Sequence, residues 1–225
     1  MKIVFAIMMA CLNAGITLVT LSETLSLRIK IFGRHEDGVP VKTLGARLYY
    51  GTVIASGAIG FLVMIRLISG TNNFFDLCRM TILLFCLTGA ACIDYREHRI
   101  PNIFPLSMLV SSAALSFFAW LTGQPTAKSF LFTGIITMCI CAVFLTVASF
   151  LTKKGIGAGD IKLLSTIGLI GGAYALCGIL FFSILSCALF ASVLLLLRKK
   201  TIQDAMPYGP FVLLGYIATV LTLKY

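Results

Sequence analysis

Charge is scarce in this chain. Charged residues make up 12% of its 225 residues, where an ordinary soluble domain has about 25%. Acidic residues number 8, histidines 2 and tryptophans 1. So few polar groups cannot clothe a soluble globule of this size, which excludes a soluble enzyme. The longest polar stretch, Ser22–Arg47, is too short to hold a core of its own. The 8 cysteines (Cys11, Cys78, Cys86, Cys92, Cys139, Cys141, Cys177 and Cys187) form no C-x-x-C pair. His35 and His98 have no Cys or His at ligand spacing, and tetrahedral zinc needs four convergent ligands. No metal and no cofactor is therefore expected, and the cysteines read as small apolar packing residues. The apolar stretches do not alternate with polar positions, which excludes a transmembrane barrel.

What the chain has instead is apolar length. Hydrophobic residues reach 59% and mean hydropathy is +1.02. The fold class is all-α: a polytopic helical membrane protein with about eight spans, within a range of six to eight, at ~20 residues per span. The apolar segments run over 3–21, 49–68, 77–93, 103–121, 130–151, 161–172, 174–197 and 207–223. Lys2 and the run from Ile3 to Leu21 read as a retained first span, because the run is long for a signal peptide and no clean cleavage site follows. The sixth segment is short and ends at Gly171-Gly172, a pair that permits a tight reversal. No internal repeat divides residues 1–225, which read as a single membrane domain.

The formal net charge is +10. The basic residues sit between spans and form no face, which argues against nucleic acid as a partner. They do sort by side. One set of loops holds Arg28, Lys30, Arg34, Lys42, Arg47, Arg96, Arg99, Lys153, Lys154, Lys162, Arg198, Lys199 and Lys200, and the other only Lys2, Arg66, Arg79, Lys128 and Lys224. The richer set should face the cytoplasm. With eight spans both termini then lie outside, a placement with which Lys2 is in mild conflict.

Glu23, Glu36, Asp37, Asp76 and Asp204 read as solvated loop residues or helix caps. Asp94 and Asp160 differ. Asp94 follows a long apolar run in Ala90-Ala91-Cys92-Ile93-Asp94, and Asp160 opens a span in Gly157-Ala158-Gly159-Asp160-Ile161-Lys162. Each could be an ordinary end group, Asp94 paired with Arg96 or Arg99 and Asp160 acting as an N-cap. Yet the topology places both at similar depth on one side of the membrane. Carboxylates near hydrocarbon are costly, so function is the default reading. Two neighbouring carboxyls that share one proton can activate water and polarise a peptide carbonyl. Gly157 and Gly159 clear side chains from the approach to Asp160, and Pro101 is placed to start the next span.

Three segments then carry a family resemblance. Asp94-Tyr95-Arg96-Glu97-His98-Arg99-Ile100-Pro101-Asn102, Gly157-Ala158-Gly159-Asp160-Ile161-Lys162-Leu163-Leu164 and Met206-Pro207-Tyr208-Gly209-Pro210-Phe211 together resemble the motifs of type IV prepilin peptidases, a group that includes the preflagellin peptidases. Their order and spacing fit across 77–223. The resemblance implies a membrane aspartic endopeptidase that removes the short basic leader of prepilin-like proteins at the cytoplasmic face. Asp94 and Asp160 would be catalytic. Gly157, Gly159, Pro101, Asn102, Pro207, Gly209 and Pro210 would shape the site, and Lys162 would orient substrate or lipid phosphate or anchor the span end. The expected partners are prepilin-like substrates and membrane lipid, and the expected location is the cytoplasmic membrane.

One departure is informative. Many bacterial members carry a zinc-binding domain with C-x-x-C pairs after the first span, associated with N-methylation of the new terminus. Here Ser22–Arg47 contains no cysteine, so the chain is similar to the peptidase-only members. Presenilin-like proteases share Gly-x-Gly-Asp, but their Pro-Ala-Leu segment is missing near the end of this chain. The alternative from another class is an ion-coupled transporter using Asp94 and Asp160 as proton or cation sites. Such carriers place carboxylates near the bilayer midplane within related repeats, unlike the helix ends expected here.

Overall fold

The structure, a computed structural model, describes residues 58–70, 74–123, 127–152, 156–197 and 207–222. The expected first span, the 22–47 loop and Asp204 lie outside these residues. The described residues form helices α1 (Ala58–Gly70), α2 (Phe74–Glu97), α3 (Ile103–Leu121), α4 (Ala127–Leu151), α5 (Ala158–Leu196) and α6 (Gly209–Thr222). There is no strand among them. Four of the helices, α2 to α5, are long and apolar enough to cross a membrane, and α1 and α6 are shorter apolar helices. The chain is a multi-pass, all-α membrane protein.

At 39 residues, α5 would extend ~58 Å if straight, about twice the hydrocarbon thickness of a bilayer. It does not run straight. Gly172 adopts φ 76°, ψ 176° inside it, a conformation essentially open to glycine alone. The neighbours show that the chain reverses there. Ile179 and Ser183 lie against Gly215 in mid-α6, while Ser183 bonds Tyr208 and Phe190 packs on Phe211 at the start of α6. The second arm therefore runs antiparallel to α6 and returns to the end of the bundle where the first arm began. The break falls where the Gly171-Gly172 pair placed it.

Helix α2 is the hub. In its most apolar stretch 56% of the residues are buried inside the protein, against 17% for α4, which is left facing outward. Leu83, Leu84 and Leu87 of α2 pack with Leu163, Ile167 and Ile170 of α5 and with Val212 and Tyr216 of α6. Tyr216 is fully buried, and its hydroxyl donates to the Met80 carbonyl at 2.7 Å. In lipid the association of helices relies on close packing rather than water exclusion. Gly134 lies directly against the Leu169 carbonyl and Gly215 against the Ile179 carbonyl, each so close that an added Cβ would overlap the oxygen. On α3, Pro105, Met108, Ser112, Ser116 and Ala119 are buried, a stripe at helical spacing. Its opposite side exposes Leu106, Val110, Phe117 and Trp120.

The charge reading needs one correction. Arg66 and Arg79, assigned to loops, lie within α1 and α2. Arg79 is only 4% exposed. Its guanidinium bonds Asp76 Oδ1 at 3.1 Å and sits 3.5 Å over the Phe130 ring. A charge inside a bundle needs such partners, so Asp76 is a buried cation's counter-ion and not merely a solvated cap.

Candidate active site

The chain direction of each helix brings Asp94 and Asp160 to one end of the bundle. Asp94 lies in the last turn of α2, and the helix continues past it to Glu97. His98 then closes the helix, with φ 50° and its N–H bonded to the Asp94 carbonyl at 3.0 Å, a left-handed C-terminal cap. The five residues from His98 to Asn102 turn the chain into α3. Pro101 stands one residue before the N-cap of α3 rather than in its first turn. Asn102 occupies the N-cap without a side-chain capping bond. Its Oδ1 instead accepts from Lys162 Nζ at 3.1 Å, joining the first motif to the second.

Asp160 is the third residue of α5, and Gly157 is the N-cap. The carboxylate folds back to bond the Gly157 backbone, the acidic half of a capping box. A Cβ on Gly157 would lie 3.0 Å from Asp160 Oδ2. Gly159 has a different neighbour, since its Cβ would lie 3.2 Å from the Ile100 Cβ. Gly159 thus lets the start of α5 settle against the His98–Asn102 turn, while Gly157 leaves room for the Asp160 carboxylate. Asp160 is half-buried.

Asp94 is 5% exposed. Its Oδ2 accepts a buried 2.7 Å bond from the backbone N–H of Gly209. A side chain at Gly209 would meet Asp94 Cβ and Oδ2 at 3.0 Å and Ala91 Cα at 3.2 Å. Only glycine lets the start of α6 come this close. Pro207 and Pro210 flank it, and prolines at a helix start forgo an N–H that has no helical partner there. Asp94 and Asp160 lie close enough for their charges to interact.

Two residues beside the carboxylates were not singled out from the sequence. The hydroxyls of Tyr208 and Ser183 meet at 2.7 Å. Burial pushes the Tyr208 phenol up from its ordinary range, the Ser183 bond opposes this, and the charges of Cys187 and Asp160 add to the rise. Ser183 had a faint signal, a single hydroxyl in the apolar run Leu180-Phe181-Phe182-Ser183-Ile184-Leu185. Nothing in the pattern said which hydroxyl it would meet.

The chain has no C-x-x-C pair, and among the described residues no three His, Cys, Asp or Glu side chains converge.

Comparison with known proteins places this geometry. The profile of the type IV leader peptidase family matches residues 81–192. A prepilin leader peptidase/N-methyltransferase of Bacillus subtilis (strain 168) is 30% identical over 144 residues, 62% of this chain and 54% of the relative. A protein of the same name from Pseudomonas putida is 29% identical over 140 residues, 61% of this chain and 48% of the relative. The chain spans about half the length of these curated relatives. No solved structure matches. Through residues 81–192, the stretch that carries both Asp94 and Asp160, the chain belongs to the type IV leader peptidase family.

Proposed function

We propose that this protein is an aspartic endopeptidase that removes the N-terminal leader of prepilin-like substrates at the cytoplasmic face of the membrane. The observation that carries the reading is the meeting of Asp94 and Asp160, from two different helices, at one end of the bundle. Exposed Arg99 and Lys162 lie near the pair in sequence and fold, which supports a cytoplasmic placement of that end.

Like charges at short range cannot both persist cheaply, so the pair holds one proton between them. The ionised aspartate takes a proton from water, and the hydroxide so formed adds to the carbonyl carbon of the scissile bond. The protonated aspartate gives its proton to the carbonyl oxygen. When the tetrahedral adduct collapses, the C–N bond breaks, the departing nitrogen takes up the proton the first aspartate received, and the hydroxyl that re-forms C=O returns its proton to the second aspartate. The leader leaves as a carboxylate and the mature chain keeps a free amine. The Gly209 N–H occupies one Asp94 oxygen and leaves the other for water. Gly157 leaves room for the Asp160 carboxylate and Gly159 for the turn at Ile100, while Pro207, Gly209 and Pro210 hold the start of α6 against Asp94.

The test is coexpression with a prepilin, followed by the size shift of the substrate on a gel. Asp94→Asn and Asp160→Asn should each stop cleavage while the protein stays inserted. Full processing by both variants would end the proposal. A transporter would instead lose ion-coupled uptake in these variants and would leave prepilin uncut in the wild type.

A further inference from the structure

The geometry points to Tyr208 as a positioning residue that, through its hydrogen bond to Ser183, aims the Gly209 N–H at Asp94. This inference rests on the peptidase reading above. Ser183 is fully buried, and its hydroxyl lies 3.1 Å from the Leu180 carbonyl as donor. Having one hydrogen, Ser183 must accept in its 2.7 Å bond to Tyr208, so the phenol is the donor. A phenol is protonated at neutral pH and so has a hydrogen to give.

At its other end Tyr208 organises α6. Its carbonyl accepts from the N–H groups of Phe211 and Val212 at 3.0 and 3.1 Å. The peptide unit between Tyr208 and Gly209 is therefore held from two sides, by the first turn of α6 and by the second arm of α5. Its N–H is the donor to Asp94 Oδ2. The effect of this chain of bonds is to hold one carboxylate oxygen in place so that the other keeps a constant direction toward water. Small misplacements of a catalytic group are costly in rate and not in affinity.

The test measures kcat and KM for prepilin cleavage in detergent, per folded molecule counted from the monodisperse chromatographic peak. Tyr208→Phe and Ser183→Ala should each lower kcat about tenfold, the loss of one aligned hydrogen bond, with KM within about twofold. The double variant should fall no further than either single one, because both break the same bond. Ser183→Thr, which retains a hydroxyl, should recover most of the loss and serves if Tyr208→Phe folds poorly. Wild-type kcat in Tyr208→Phe, a loss confined to KM, or Ser183→Thr no better than Ser183→Ala would overturn the inference. Asp94→Asn in the same assay separates the two levels: cleavage by that variant would overturn the peptidase reading itself.

Discussion

The backbone N–H of Gly209 donates to Oδ2 of Asp94 at 2.7 Å, across 115 residues of sequence and in a buried setting. This bond welds the first and last motifs of the site together. It also turns a carboxylate at a helix end into a group with a fixed direction.

Gly209→Ala should uncouple those motifs. The new Cβ would press on Asp94 and on the Ala91 backbone, so the start of α6 must move and the bond must lengthen. A loss on the order of 100-fold in cleavage rate is expected, since a displacement near 1 Å suffices for that. Gly134→Ala is the contrast. Its Cβ would meet the Leu169 carbonyl at 2.6 Å, nine residues along α5 from Asp160, so it should lower thermal stability in detergent. Initial cleavage rates and melting curves of the two variants distinguish these outcomes.

Gly172→Ala tests the reversal of α5. Its Cβ would meet only Phe130 atoms, at 3.9 Å or more, so crowding is not the obstacle. The obstacle is the backbone, whose φ of 76° and ψ of 176° cost a non-glycine residue about 1–3 kcal/mol. Thermal unfolding in detergent should shift downward, with no change in the prepilin cleaved per folded molecule at low temperature.

Metal removal should leave cleavage intact, because the proposed mechanism assigns water activation to carboxylates. Prepilin processing is measured before and after strong chelation. Loss of activity that returns with added zinc would contradict the assignment.

The mature substrate should carry an unmodified amine when this chain is the only processing enzyme present. The relatives whose names include N-methyltransferase are about twice as long as the matched region, and 22–47 has no cysteine. Mass spectrometry of the processed product reads the outcome, one methyl group being the contrary result.

Much of the candidate site was legible before the fold. Asp94 and Asp160 stood out because carboxylates flanking apolar runs are rare and costly, and Gly171-Gly172 marked the turn because glycine alone escapes the helix there without strain. The pairings were not legible. Asn102 has the residue type of a helix cap but holds Lys162 instead. Arg79 looked like a loop cation and is a buried one. Tyr208 and Ser183 are 25 residues apart, in different elements. Spacing reports which face of a helix a residue occupies, while the identity of its partner depends on how helices from distant parts of the chain are set against each other.

The reversal at Gly172 also sets a measure. Because the first arm of α5 is counted back from that residue to Asp160, the arm's length dictates where around the helix axis the carboxyl points. Each residue turns a helix by ~100° and advances it ~1.5 Å. Adding or removing one residue between Leu163 and Ile170 would swing Asp160 away from Asp94 while leaving every chemical group in place, so the arm works as a protractor for the pair.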